Sequence, residues 1–139
     1  MRRACFLSAS ILALLCGAAE GGSLTDYRDV AAALERGKDV SLALDLSECT
    51  DGAGQRGPAI KAGLPVAAYM DFGNRIVFSD PHFTVPPGQE RPTIEFVRYE
   101  LSRDGIVTVN SSVFRLPGYE KGAERHLRCK QGAGAWFYD

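Results

Sequence analysis

Val40-Ser41-Leu42-Ala43-Leu44-Asp45-Leu46-Ser47 alternates without interruption. Val40, Leu42, Leu44 and Leu46 fall on one side of an extended chain; Ser41, Ala43, Asp45 and Ser47 fall on the other. A period of two marks a strand with one buried and one wetter face. Cys49, three residues beyond Leu46, is also expected to point inward. The stretch predicts a sheet whose core lies against the leucine face.

Upstream of it, Leu24, Val30, Ala31 and Leu34 form an apolar stripe at helical spacing. Ser23 or Thr25 is expected to cap that helix, with Asp26 in its first turn, where a negative charge favours the N-terminus. Gly37 follows Arg36 and suits the left-handed residue that ends a helix.

Downstream, Thr50 to Gly63 carries Gly52, Gly54, Gly57, Pro58 and Gly63 and predicts a long loop. Leu64 to Phe72 reads as a strand, Asp71-Phe72-Gly73-Asn74 as a turn and Arg75 to Ser79 as the returning strand of a hairpin. Phe83 to Val85 is a short extended piece before the turn at Pro86-Pro87-Gly88. In Thr93 to Leu101 the parity changes. Ile94 and Phe96 share one face, while Val97, Tyr99 and Leu101 share the other. That predicts a bulge near Phe96 or burial on both sides. After a turn at Ser102-Arg103-Asp104-Gly105, Val107, Val109 and Val113 return; Arg125 to Cys129 and Ala135 to Tyr138 follow. The expected fold is α+β: a curved, mainly antiparallel sheet, a meander or partly closed barrel of about seven strands, with one N-terminal helix.

The chain of 139 residues suits one domain behind a leader. Arg2 and Arg3 form a basic start, Ala4 to Leu15 an apolar run of twelve residues, and Cys16, Gly17, Ala18 and Ala19 a small-residue end. This is the three-part pattern of a secretory signal, with cleavage expected after Ala19 and a domain over residues 20–139. Twelve apolar residues are too few for the ~20 of a membrane span. A lipid-modified Cys16 is disfavoured because Leu15 is large. Loss of the two arginines takes the net charge from −1 to −3, which provides no electrostatic footprint for nucleic acid. The expected location is secreted or periplasmic, and the expected state a monomer.

Cys49 and Cys129 remain after cleavage, 80 residues apart, and an even pair in an oxidising compartment predicts a disulfide. Closing such a loop is worth roughly 4.5 kcal/mol by chain entropy. Two cysteines without a CxxC spacing give neither a redox motif nor a structural zinc site.

Residues that carry chemistry are sparse. Asp80-Pro81-His82 places a carboxylate beside an imidazole, and Ser79 adds a hydroxyl, but no Gly-x-Ser-x-Gly elbow accompanies them. No set of metal ligands with workable spacing is apparent, and no cofactor is expected. Arg98 and Glu100 share a strand face near Glu95, which reads first as a salt-bridged sheet face. His82, Asp80, Arg98 and Glu100 are the candidate pocket or surface residues. His126 is read as outward-facing, and Trp136, Phe137 and Tyr138 as packing for the last strand. Asn110-Ser111-Ser112 is a glycosylation sequon if the source is eukaryotic.

Several segments together resemble the VirK family. They are Asp45-Leu46-Ser47-Glu48-Cys49-Thr50, the run Ile76 to Val85, Glu95-Phe96-Val97-Arg98-Tyr99 leading into Asp104-Gly105-Ile106-Val107, and the late Cys129. The likeness runs from about Leu24 to Tyr138. It implies a small exported protein, some members lying in bacterial virulence regulons, with no defined molecular activity and no catalytic residues to carry over. The leading expectation is a non-enzymatic protein acting by contact with another macromolecule or the cell envelope. A small-molecule carrier is the alternative and needs a cavity of ~300 Å³ or more. A hydrolase using His82 and Asp80 comes third.

Overall fold

The computed structural model describes residues 21–139. The expected leader and its cleavage site lie outside the described residues. The elements, in chain order, begin with β1 (Ser23–Leu24), α1 (Tyr27–Glu35), β2 (Ser41–Asp45) and a 3₁₀ turn (Leu46–Glu48). Then come β3 (Lys61–Pro65), β4 (Tyr69–Asp71), β5 (Arg75–Thr84), β6 (Thr93–Ser102), β7 (Ile106–Arg115), β8 (Glu120–Gln131) and β9 (Gly134–Tyr138). The α+β expectation holds, with nine strands rather than seven.

The helix starts later than its stripe suggested. Ser23 and Leu24 are strand, pairing with Tyr138 and Phe137, so neither Ser23 nor Thr25 caps. Asp26 does: its Oδ1 accepts from the backbone N–H groups of Arg28 at 2.7 Å and Asp29 at 3.0 Å. Asp29 reaches back to accept from the Thr25 N–H and hydroxyl, so each end of the first turn satisfies the other. The buried face is Tyr27, Val30, Ala33 and Leu34, with Ala31 only partly covered. Gly37 ends the helix as expected, at φ 70°. Its N–H donates to Leu34 O and that of Lys38 to Ala33 O, which is the Schellman arrangement.

The strands lie in the order β3-β2-β9-β8-β7-β6-β5-β4, with β1 on β9. β4 to β8 form the expected antiparallel meander. β9 leaves it: it touches β8 only through Lys130/Gly134 and Gln131/Ala135, and runs antiparallel to β2 from Ser41/Tyr138 to Leu44/Ala135. The last strand thus joins the first leucine strand to the meander.

Leu64 to Phe72 is not one strand. β3 pairs with β2 through Leu42/Leu64, whereas β4 pairs with β5 through Tyr69/Phe78. β3 and β4 are the two ends of the sheet order, yet only residues 66–68 join them. Four residue steps reach ~14 Å at most. The two edges must therefore come close, which curls the sheet into a half-barrel. The loop predicted to extend to Gly63 is cut short by the same pairing, because β3 already begins at Lys61.

β5 runs unbroken through Pro81, where the sequence suggested an interruption. β4 covers β5 only opposite Ile76 to Phe78, so Pro81 lies on a free edge where its missing N–H is harmless. Neither expectation for Phe96 holds. β6 keeps one-to-one register with both neighbours through Phe96, and that ring is exposed on the outer face. It meets Phe114 edge-on at 5.9 Å. The irregularity lies instead on β7, between Ser112 and Phe114.

The core fills the concave side. Phe78 stacks on Tyr99 at 5.1 Å and meets Phe137 edge-on at 6.4 Å. Cys49 and Cys129 are bonded, with Cα atoms 4.4 Å apart and both side chains fully buried. α1 closes one end of the half-barrel. The Tyr27 hydroxyl donates to Asp71 at 2.8 Å, and the Arg103 guanidinium lies 5.7 Å from its ring.

Candidate functional site

Register defines the concave surface residue by residue. Cross-strand partners share a face. One row runs Ile76, Leu101, Val107, Cys129; the next runs Phe78, Tyr99, Val109, Leu127. The third runs Asp80, Val97, Ser111, Arg125, and beyond it His82 pairs with Glu95. The face is apolar where α1 closes it and becomes polar toward the opposite end.

Between these rows and the β2–β3 side lies a cavity of about 260 Å³. Leu44, Leu46, Val97, Val109 and Leu127 supply its apolar wall, while Tyr99, Ser111, His82, Glu95 and Arg125 ring its polar end. The volume falls just below the ~300 Å³ set for a carrier of drug-sized ligands, so the cavity suits only a smaller molecule. It equals about nine water volumes at ~30 Å³ each.

His82 Nε2 lies 2.9 Å from Asp80 Oδ2, so these two sequence candidates do come together. Both are strand residues, with His82 near the end of β5. Arg98 and Glu100 do not join them. Their even numbers place them on the outer face, where Arg98 Nη2 donates to Glu100 Oε2 at 2.7 Å and Arg75 Nε approaches the same carboxylate at 3.9 Å. His126 is also outward; its Nδ1 lies 2.8 Å from Asn110 Oδ1, which puts the sequon's asparagine on the outer face. Phe137 packs in the core, while Tyr138 is exposed. Among the described residues no three His, Cys, Asp or Glu side chains gather as a metal site.

Sequence reasoning missed Tyr99, Ser111 and Arg125 as site residues. The available signal was parity. Once Asp80 and His82 face inward, an unbroken register carries the inward face across β6, β7 and β8 to these three.

Burial, reinforced by the nearby charges of Asp80 and Glu95, pushes the Tyr99 hydroxyl up to about 12. Burial also raises Tyr27, helped by its bond to Asp71. A raised folded-state value means the neutral phenol stabilises the fold below the ordinary pKa of ~10, and that contribution is lost as pH climbs through about 12. Ultraviolet titration of the five tyrosines should show Tyr99 ionising last or together with alkaline unfolding. In Tyr99→Phe that late step should vanish; its persistence would contradict the assignment.

With this geometry in hand, comparison with known proteins places the chain. The VirK protein family model matches residues 23–119. The chain belongs to the VirK family. It is 32% identical over 119 residues to the uncharacterized protein y4wH of Sinorhizobium fredii, covering 83% of this chain and 81% of that one. An uncharacterized protein from the pinF2 3′ region of Rhizobium radiobacter is 31% identical over the same length and the same shares. The crystal structure of lpg1832, a VirK family protein from Legionella pneumophila, superposes with a TM-score of 0.74. It covers 84% of this chain and 98% of that one at 21% identity, so it speaks for the VirK fold alone. The residues that ring the cavity fall inside the family match, except Arg125 and Leu127, which lie beyond its end.

Proposed function

We propose that this VirK protein is an exported, non-catalytic binding protein that holds a small, mainly apolar ligand in the concave cavity. The observation that carries the reading is the cavity itself: an apolar pocket on a curved sheet, polar at its open end. Export rests on the leader pattern of residues 1–19, and the buried Cys49–Cys129 bond suits an oxidising compartment. No described helix is long and apolar enough to cross a membrane.

An Asp–His pair such as Asp80–His82 also occurs as the acid–base half of hydrolytic triads. Among the described residues no hydroxyl hydrogen-bonds to His82, and Ser79 lies on the opposite face of β5. The proposal therefore gives the pair a ligand-facing role. Contact with a macromolecule, the leading expectation from the sequence, is the second reading. Its support is the exposed apolar group of Phe83, Val85 and Phe96 on the outer face, exposed by 67%, 53% and 45%.

The test uses N-phenyl-1-naphthylamine, a neutral apolar dye that brightens out of water. Saturable enhancement at one site per chain is expected, abolished by Ala62→Trp. Ala62 lines the cavity from the exposed edge strand β3, so the indole fills the space without disturbing the buried core. Equal binding by Ala62→Trp, or none by the wild type, would overturn the cavity reading.

A further inference from the structure

The polar end of the cavity has two walls of opposite sign. Glu95 stands on β6, with His82 opposite it on β5; Arg125 stands on β8, across from them. Asp80 is held by His82, but Glu95 is half-buried and makes no ion pair among the described residues. Arg125 likewise has none among them. Between the walls, Tyr99 and Ser111 are 3% and 7% exposed, and their hydroxyls have no hydrogen-bond partner among the described residues although both line the cavity. Neither oxygen is among the fully buried unpaired atoms of the described residues, a set that holds Gln131 Oε1, so both hydroxyls open onto the cavity and are free to hydrogen-bond there.

We infer that the ligand carries a zwitterionic head, an ammonium and a carboxylate on one small molecule such as an apolar amino acid, with its apolar part in the cavity. The ammonium would donate to Glu95 and to the Tyr99 oxygen. The carboxylate would accept from Arg125 and the Ser111 hydroxyl, a charge-assisted arrangement. An anion alone would meet Glu95 uncompensated, and a cation alone would meet Arg125. This inference rests on the proposed binding reading and narrows it to one chemical class.

Displacement of the neutral dye by three compounds of similar size tests it: L-phenylalanine, 2-phenylethylamine and 3-phenylpropanoate. L-Phenylalanine should compete at concentrations about tenfold lower than either singly charged compound, the difference that one charged hydrogen bond makes. Glu95→Gln should weaken L-phenylalanine and 2-phenylethylamine but not 3-phenylpropanoate, and Arg125→Gln should do the reverse. Circular dichroism spectra and thermal midpoints close to those of the wild type should show that both variants are folded, and each displacement is read against that variant's own dye affinity. Equal competition by all three compounds, or by none while the dye still binds, would overturn the head-group inference and leave the cavity reading standing. Failure of the dye to bind the wild type would overturn the cavity reading.

Discussion

Replacing Cys49 and Cys129 together by alanine, or reducing the bond, is expected to remove roughly 4.5 kcal/mol of stability. The bond closes 80 residues of chain, and the unfolded state loses much of its freedom when that loop is tied. Its position gives the number structural meaning. Cys49 follows the 3₁₀ turn after β2, and Cys129 lies near the end of β8, where Thr50 also pairs with Arg128. The bond therefore fastens the β2 side of the half-barrel to the meander at a place where strand pairing is thin. A domain of this size holds ~5–15 kcal/mol in all, so the reduced protein should be close to the limit of folding. Denaturant unfolding with and without a phosphine reductant checks this. The midpoint should fall sharply, and the slope should rise because the reduced unfolded chain exposes more surface. A midpoint unmoved by reduction would contradict the account.

Phe137→Ala is the second large effect, at about 3–5 kcal/mol. Phe137 is fully buried, its strand is paired to Leu42 on one side and Leu24 on the other, and its ring meets Phe78 edge-on. It is the residue through which the C-terminal strand, the leucine strand and the meander share one core. Collapse around the deleted ring is limited, since the bonded cysteines and Ala135 fix the neighbouring chain. The melting temperature should drop on the order of 10–20 °C. The adjacent Tyr138→Ala, at a site 41% exposed, should stay within about 0.5 kcal/mol of wild type. Similar losses at the two positions would mean that β9 is not inserted as described.

Much of this architecture was legible because it is local. The parity of Val40 to Leu46 gives the buried face of β2, and Gly37 marks the helix end; Cys49 is out of phase with the leucines and is buried because the 3₁₀ turn Leu46–Glu48 re-aims the chain. What was not legible depends on partners far away in sequence. Leu64, Val66, Ala68 and Met70 alternate as one strand would; only their different partners, β2 and β5, separate β3 from β4. Pro81 reads as a break until β5 is seen to have a free side there. Gly57 reads as one loop glycine among several, but a side chain there would collide with the Leu46 carbonyl.

The site divides in the same way. Asp80 and His82 drew attention by their chemistry and do pair on the concave side, where His82 lines the cavity, whereas Arg98 and Glu100 were grouped with them by nearness in sequence and lie on the other side of the sheet. Tyr99, Ser111 and Arg125 carry no motif. They become a site only because three strands keep register, which brings isolated polar residues to the end of an apolar pocket.

Nuclear magnetic resonance of the isotopically labelled, oxidised protein during titration with the neutral dye tests the central claim most directly. The account predicts that shifts concentrate on Val97, Tyr99, Val109 and Leu127, the concave rows around the cavity. Shifts confined to Phe83, Phe96 and Phe114 on the outer face would contradict it.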